Sequence, residues 1–207
     1  MDVPGQITSI DELAALFRDP GEGALKKERQ QLDDTIAEFI AHSTFLVLAT
    51  GDGRGSLDAS PRGGPPGFVR MLDERHIAIP DLNGNNRLDS YRNLVDHPYA
   101  GVLMMVPGKE ETVRINGPAA ISTDPELLAG FTKELRVPKL AVIIETDQLF
   151  GHCAKALRRG KLWQPEAWGA GADAPDLARM YAADWKMDEG DLRQILAGSY
   201  DDDLSHD

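Results

Sequence analysis

The sequence has a single cysteine, Cys153, so no disulfide can form within the chain. Its five histidines are scattered, and with one thiol they give no spacing typical of metal ligands, so we expect no metal site. No apolar run approaches the roughly 18 residues of a membrane-spanning helix. The first residues also lack the basic and apolar pattern of a secretory signal peptide. We therefore expect a cytoplasmic protein.

Basic residues are scarce relative to acidic ones. The chain carries 22 Lys and Arg against 34 Asp and Glu, for a formal net charge of -12. This balance disfavours nonspecific binding to nucleic acid or to an anionic membrane, and we expect neither as a partner. It does not exclude a local basic pocket. The 207 residues, 42% of them hydrophobic, suit one globular core with terminal helices.

Short apolar, β-prone runs separated by turn residues dominate positions 45–146. Positions 45–50 and 56–60 flank a turn rich in glycine, which predicts a hairpin. Gly117-Pro118 is expected to interrupt a later strand. Strands and helices do not alternate regularly, as they do in doubly wound parallel folds. The pattern predicts a mainly β protein with peripheral helices, built as an antiparallel barrel or closed sheet.

Apolar residues recur at helical spacing near both ends, over residues 7–43 and 175–198. We interpret these stretches as packing helices rather than as parts of a catalytic site. The expected organisation is N-terminal helices over 1–44, a barrel core over 45–168, and a C-terminal helical extension with an acidic tail over 169–207. A further helix is expected from Pro125 to about Arg136, and the last residues of the tail are expected to fray.

Residues 79–94 carry the clearest functional pattern. A predicted strand ends at Pro80, a loop rich in Asn and Gly follows, and a helix is predicted from about Arg87 to Asp96. Unpaired backbone N–H groups at a helix start attract anions such as phosphate, and Arg87 and Ser90 add donors. Alternatively, Asn85 or Asn86 is only the N-cap and Arg87 is a solvated surface charge.

Other cationic side chains occur elsewhere in this acidic chain: Arg62 in a Gly/Pro-rich loop, Arg114 on a strand, and Lys155 and Arg158 near Trp163. Each alone is typical of a surface charge. Together they suit a ligand with an anionic end and a planar aromatic end, which an indole can line. No catalytic nucleophile is indicated, because Cys153, Ser60 and Ser90 lack the context of an activated group.

Four motifs, in order and at matching spacing, resemble the pyridoxamine 5'-phosphate oxidase-like, FMN-binding split-barrel superfamily, and most closely a branch of FMN-dependent proteins of unassigned substrate. The resemblance spans about residues 32–168 and departs from the pattern at Gly64, where an acidic residue is expected. The motifs are Ser60-Pro61-Arg62-Gly63, then Ile79-Pro80-Asp81 with Gly84-Asn85-Asn86-Arg87-Leu88-Asp89-Ser90, then Glu111-Thr112-Val113-Arg114-Ile115-Asn116-Gly117, and His152-Cys153-Ala154-Lys155-Ala156-Leu157 with Leu162-Trp163.

The resemblance implies an antiparallel six-stranded split β-barrel that forms a homodimer with two FMN sites at the interface. It assigns the FMN phosphate to Arg87 and Ser90, with Asn86 in support. Ser60, Pro61 and Arg62 would lie against the isoalloxazine or ribityl chain. The remaining cofactor contacts would come from the partner subunit, through Lys155, Arg158 and Trp163.

The implied activity is that of an FMN-dependent oxidoreductase, with hydride transfer at flavin N5 and a small-molecule substrate. Genuine pyridoxamine-phosphate oxidases end in a basic segment that holds the substrate phosphate. Four of residues 200–207 in this chain are aspartates, which would repel a phosphate, so we do not expect that activity. Two alternatives stay open, because fold does not determine function. One is a flavin-binding redox sensor or store without turnover, and the other is a haem- or deazaflavin-binding relative.

Overall fold

In the computed structural model, which describes residues 3–131 and 133–207, eight strands form one antiparallel sheet. Their order is β2-β1-β5-β6-β7-β4-β3, with β8 beside β6, and the sheet is not closed between β2 and β3. The mainly β class with peripheral helices is confirmed, with two strands more than the expected six. The strands are β1 Phe45–Gly51, β2 Leu57–Gly63, β3 Arg70–Met71, β4 His76–Pro80, β5 Tyr99–Met105, β6 Thr112–Ser122, β7 Ala141–Glu145 and β8 Gln148–His152.

Strand β6 is shared by the two halves of the sheet. One of its edges pairs with β5, while the other pairs first with β8 and then, from Ala119, with β7. The change of partner occurs at Gly117, where a Cβ would lie 1.9 Å from the carbonyl oxygen of Glu145. Only glycine allows this close approach. The expected interruption at Gly117-Pro118 is therefore wrong, because the strand continues and only its neighbour changes.

The predicted hairpin is present as β1 and β2, paired from Phe45 opposite Gly63 to Gly51 opposite Leu57. Leu46 and Leu48 of β1 are fully buried, and alternate residues point to the opposite face of the sheet. That opposite side, which we call the outer sheet face, is made of small and apolar residues: Phe45, Val47, Ala49, Ala59, Pro61 and Leu103.

Helices surround the sheet. Helix α3 packs Ile36 and Ile40 into the main core, whereas α1 and α2 bury no residue. The helix predicted from Pro125 to about Arg136 ends at Ala129, and the tail expected to fray is helical to Ser205. The helices are α1 Ile10–Ala14, α2 Glu22–Lys26, α3 Asp34–His42, α4 Asp89–Asp96, α5 Pro125–Ala129, α6 Lys155–Arg159, α7 Leu177–Trp185 and α8 Glu189–Ser205, with a 3₁₀ helix at Pro165–Asp173.

Within the described ranges, no helix has both the length and the apolar character needed to cross a bilayer.

The segment before α3 lies along the edge of β8 that β6 leaves open. The backbone N–H of Arg29 donates to the carbonyl of Leu149 at 3.0 Å, and the N–H of Leu149 donates back at 2.7 Å. The Lys27 ammonium adds a hydrogen bond of 3.2 Å to the carbonyl of Gly151. This edge of the sheet is therefore partly covered by the chain itself.

Candidate functional site

A polar cavity of about 310 Å³ lies between β2, the loop after β4 and the first turn of α4. This size is at the lower end of the range typical of small-molecule sites. Six of the nine site residues predicted from the sequence line it, and they come from segments far apart in the chain. They are Ser60, Pro61, Arg62, Asn86, Arg87 and Ser90.

Ser90 of α4 makes hydrogen bonds to two side chains of β2 at the cavity wall. Its side chain is almost fully buried, at 2% exposure, and its hydroxyl accepts a hydrogen bond of 3.1 Å from Nη2 of Arg62. The same hydroxyl donates to Oδ2 of Asp58 at 2.6 Å. Sequence reasoning missed Asp58. The alternation of β2 was the available signal, because Asp58, Ser60 and Arg62 are spaced to share one face of the strand.

The ring of Tyr91 packs against the guanidinium of Arg62. The guanidinium carbon of Arg62 lies 5.4 Å from the centre of the Tyr91 ring, a cation–π distance. The Tyr91 hydroxyl donates to Oδ1 of Asp81 at 2.9 Å. Burial raises the pKa of Tyr91 to about 12, so this hydroxyl keeps its proton at neutral pH and remains a donor. Neither Tyr91 nor Asp81 was a predicted site residue.

Helix α4 begins at Asp89, two residues later than predicted, and its N-cap position is Leu88. Leu88 adopts the left-handed conformation with φ of 62°, and no side chain caps the helix. By contrast, α3, α7 and α8 are capped by the carboxylates of Asp33, Asp176 and Asp188. Among the described residues, the first N–H groups of α4 therefore have no side-chain acceptor at the wall of the cavity.

Neither Asn85 nor Asn86, the two residues proposed as the N-cap, occupies the N-cap position of α4. The side-chain oxygen of Asn85 accepts from the backbone N–H of Arg87 at 3.1 Å, and Asn86 is left-handed with φ of 53°. Left-handed backbone is uncommon outside glycine and costs about 1 kcal/mol for a residue such as Leu88. The loop thus holds two such residues immediately before the uncapped helix.

Arg87 is a lining residue with an exposed side chain. Its Nε donates to Oδ2 of Asp89 at 2.8 Å, and this contact raises the pKa of Arg87 above its ordinary value. The cavity holds two guanidinium groups and three carboxylates, those of Asp58, Asp81 and Asp89. An anion therefore fits best at the helix start, while the carboxylates suit neutral hydroxyl groups.

Lys155, Arg158 and Trp163 lie outside this cavity, and strands β1, β5 and β6 separate β2 from β8, which leads into α6. Arg158 Nε donates to Oε2 of Glu110 at 2.5 Å, and Trp163 Nε1 donates to the carbonyl of Lys109 at 2.6 Å. One chain does not bring these residues to the cavity. Their contribution from a partner subunit stays a prediction.

Arg114 also lies apart from the cavity, and its guanidinium carbon is 4.2 Å from the centre of the Phe150 ring. Nearby, burial lowers the pKa of His152, and the charges of Arg114 and Lys27 lower it further. Cys153 is exposed, and a hydrogen bond from the backbone N–H of Lys155 lowers its thiol pKa. The described residues contain no group of histidine, cysteine and carboxylate side chains arranged to hold a metal ion.

The structure accounts for Gly64, where the superfamily pattern has an acidic residue. A Cβ at Gly64 would lie 2.7 Å from Cβ of Phe68. Phe68 is 1% exposed and belongs to the main core, so its ring cannot move away without disturbing the packing. A larger side chain at this position would force the buried phenylalanine to shift.

The open antiparallel sheet, with β6 shared between its halves, defines the split-barrel class. The family model for pyridoxamine 5'-phosphate oxidase matches residues 32–152, which include every residue of the cavity. This match spans more than half of the chain, and the chain therefore belongs to the pyridoxamine 5'-phosphate oxidase-like split-barrel superfamily. A comparison with curated proteins gave no match.

Several solved structures are similar in fold. HupZ from Group A Streptococcus is 19% identical, with 58% of this chain and 93% of that chain covered and a TM-score of 0.46. HutZ, the haem storage protein of Vibrio cholerae, is 17% identical, with 58% and 94% covered and a TM-score of 0.41. PhzG from Burkholderia lata, in complex with tetrahydrophenazine-1-carboxylic acid, is 13% identical, with 54% and 70% covered and a TM-score of 0.40.

Proposed function

We propose that the protein binds FMN in the cavity beside α4 and is an FMN-dependent oxidoreductase that acts on a small molecule. One observation carries the proposal. The uncapped start of α4 lies at the wall of a cavity that also holds Arg62, Arg87 and Ser90. Free backbone N–H groups, the Arg87 guanidinium and the Ser90 hydroxyl form the donor set that a phosphate monoester requires, and Arg62 adds a second positive charge to the cavity.

The phosphate would be held by Arg87, Ser90 and the first N–H groups of α4, with Asn86 in support. Arg87 would exchange its hydrogen bond to Asp89 for one to the phosphate. Such an exchange is accessible because the Arg87–Asp89 pair is exposed to solvent, where ion pairs contribute little. Arg62 is less mobile, because Ser90 and the Tyr91 ring both hold it.

The polyol and ring of the flavin fit the remaining lining. Asp58 and Asp81 present carboxylate acceptors suited to the hydroxyl groups of the ribityl chain. Ser60 and Pro61 follow on β2 and offer a hydroxyl and an apolar surface. The bound flavin would supply hydride transfer at N5, so the chain needs no nucleophile of its own. Its residues would bind the cofactor, orient it and limit its contact with water.

The aspartates at positions 201–203 and 207 argue against pyridoxamine 5'-phosphate as the substrate. Oδ1 of Asp207 accepts a hydrogen bond of 2.8 Å from the backbone N–H of Asn83, next to the cavity loop. The phosphate of such a substrate, which would bind in addition to that of FMN, would approach a surface that is already negatively charged. The substrate we propose is a small molecule without a phosphate group.

A cytoplasmic homodimer is the proposed assembly. The outer sheet face is apolar and partly exposed, and Phe45, Val47 and Leu103 are large enough to bury substantial area against a second copy. In such a dimer, Lys155, Arg158 and Trp163 of the second copy would complete the flavin site. Residues 45–168 would form the flavin-binding core, with 1–44 and 169–207 as helical additions.

The proposal is tested with the absorbance spectrum of freshly purified protein, followed by titration with FMN and with riboflavin. We expect flavin bands and a preference for FMN, since only FMN carries the phosphate. The Arg62→Gln variant should bind FMN about tenfold to a hundredfold more weakly, the range for a lost hydrogen bond to a charged group. Arg54→Gln is the control, because Arg54 pairs with Asp52 and Asp96 away from the cavity lining.

Turnover separates the enzyme from a binding protein. Consumption of NAD(P)H with rapid reoxidation by air would support the oxidoreductase. Tight FMN binding without turnover across donors would contradict it and favour a redox sensor or store. A Soret band in place of flavin bands would overturn the flavin assignment in favour of haem.

A further inference from the structure

The end of α8 reaches back to the loop that lines the cavity. The backbone N–H of Asn83 donates to Oδ1 of Asp207 at 2.8 Å, and Nδ2 of Asn83 donates to the carbonyl of Asp203 at 3.1 Å. The backbone N–H of Arg136 also donates to a backbone oxygen of Asp207. These four residues, Asn83, Arg136, Asp203 and Asp207, form what we call the α8 clasp. It joins segments about 120 positions apart in the sequence.

Arg136 is the charged centre of the clasp and lies between two carboxylates. Its Nη2 is 3.7 Å from Oδ2 of Asp81, and its Nε is 3.5 Å from Oδ1 of Asp207. The three side chains are only 22%, 16% and 13% exposed, respectively. Charges this sheltered interact more strongly than surface pairs, because solvent screens them less.

The clasp continues directly into the candidate site. Asp81 uses its other oxygen, Oδ1, to accept from the hydroxyl of Tyr91. The Tyr91 ring in turn lies against the guanidinium of Arg62. A continuous series of contacts therefore runs from Asp207 through Arg136, Asp81 and Tyr91 to Arg62.

We propose that Asp207 and Arg136 are positioning residues that hold the loop 81–88 in the shape that leaves the start of α4 open to a phosphate group. The proposal rests on the proposed function, since it deepens the assignment of the same site. Neither residue touches the ligand. Both act through Asp81 and Asn83, and the ligand class they favour is a phosphate monoester with a polyol chain.

The contacts of α8 favour this role over general bracing of the fold. Among the 17 residues of α8, only Leu192 is buried, so the helix adds little to the core. Residues 203–207, at and after its end, instead make sheltered polar contacts to Asn83 of the cavity loop and to Arg136. Loss of the Asp207 carboxylate leaves Arg136 paired with Asp81, so the fold should tolerate the change.

The test uses the full chain and the variants Asp207→Ala and Asp207→Asn, with Asp201→Ala as the control. Asp201 is an exposed acidic residue on the same helix. Asparagine keeps an oxygen acceptor for the N–H of Asn83 but removes the negative charge facing Arg136. We expect FMN to bind about tenfold more weakly to Asp207→Ala, with Asp207→Asn intermediate and Asp201→Ala unchanged. Riboflavin affinity should change less than twofold in all three variants.

Hydrogen exchange of the ligand-free protein provides a readout that needs no flavin. Amides of residues 82–88 should exchange faster in Asp207→Ala than in the wild type, while those of the β1–β2 hairpin should not change. An equal loss of FMN and riboflavin affinity, or unchanged exchange in the loop, would overturn the positioning role. If the wild type binds neither flavin, the proposed function fails, and the exchange rates alone then support or overturn the clasp.

Discussion

Nη2 of Arg62 lies 3.1 Å from Oγ of Ser90, and this contact joins strand β2 to helix α4 across 28 positions of sequence. The Ser90 hydroxyl also donates a hydrogen bond to Asp58, which lies on the same strand as Arg62. The strand and the helix are therefore connected at the cavity before any ligand arrives. A site preassembled in this way loses little conformational entropy on binding.

Substitution of Arg87 by alanine tests the phosphate assignment. We expect Arg87→Ala to lose FMN during gel filtration while the fold is retained, because the Arg87 side chain is exposed and supports no core contact. Arg92→Ala is the matched control, since Arg92 is an exposed arginine on the same helix that does not line the cavity. The measurement is the ratio of flavin to protein absorbance after the column. A wild-type ratio in Arg87→Ala would contradict the assignment.

The Trp163→Ala variant tests whether the second copy of the chain contributes to the flavin site. We expect weaker FMN binding with little change in melting temperature, because the Trp163 indole is only partly buried and its Nε1 donates to the carbonyl of Lys109. Trp168→Ala serves as the control, since Trp168 is 52% exposed and makes a comparable bond to the carbonyl of Leu162. Unfolding of the Trp163 variant would instead mean that the residue is structural.

Gly64→Ala measures the packing conflict with Phe68. The added methyl would meet the buried ring, so we expect the free energy of unfolding to fall by about 1–3 kcal/mol, the usual range for overpacking. Gly84→Ala is the comparison, because no atom lies within 4 Å of a Cβ there. Urea unfolding followed by circular dichroism gives both values. Equal stability of the two variants would show that Phe68 adjusts freely.

His152 should titrate below its ordinary pKa of 6.5, because burial and the charges of Arg114 and Lys27 oppose its protonation. The unfolded chain then binds the proton more readily than the folded one. Stability should accordingly fall as pH drops below about 6.5 and level off below the folded pKa. NMR titration gives the midpoint, which Lys27→Ala should raise. Lys26→Ala should not, since Lys26 pairs with Glu22. A midpoint at or above 6.5 in the wild type would contradict the expectation.

Local patterns were sufficient to predict the hairpin and the strand–loop–helix unit of the candidate site. The β1–β2 pairing follows from a turn rich in glycine, and β4 ends at Pro80 as predicted. The ordered motifs also placed Arg62, Arg87 and Ser90 on one cavity. Each of these signals lies within a few neighbouring residues, where propensity and spacing are informative.

The parts that were missed depend on contacts between distant segments. Strand β8 is only five residues long and pairs with β6 more than 30 positions earlier, so no local periodicity marks it. The helix after Pro125 is shorter than its pattern predicts. It ends at Ala129, just before Gly130, whose backbone the Arg70 guanidinium approaches closely. Asp58, Asp81 and Tyr91 belong to the site through side-chain contacts that no motif records.

The backbone bridge between Arg29 and Leu149 has a consequence for solubility. Without it, β8 would present an open row of N–H and C=O groups, the feature through which sheets of different molecules join into aggregates. The charged Lys27 and Arg29 at this edge add a further obstacle to such pairing. The residues before the barrel thus prevent the edge of β8 from pairing with strands of other molecules. A chain shortened past Arg29 would precipitate more readily even with an intact core.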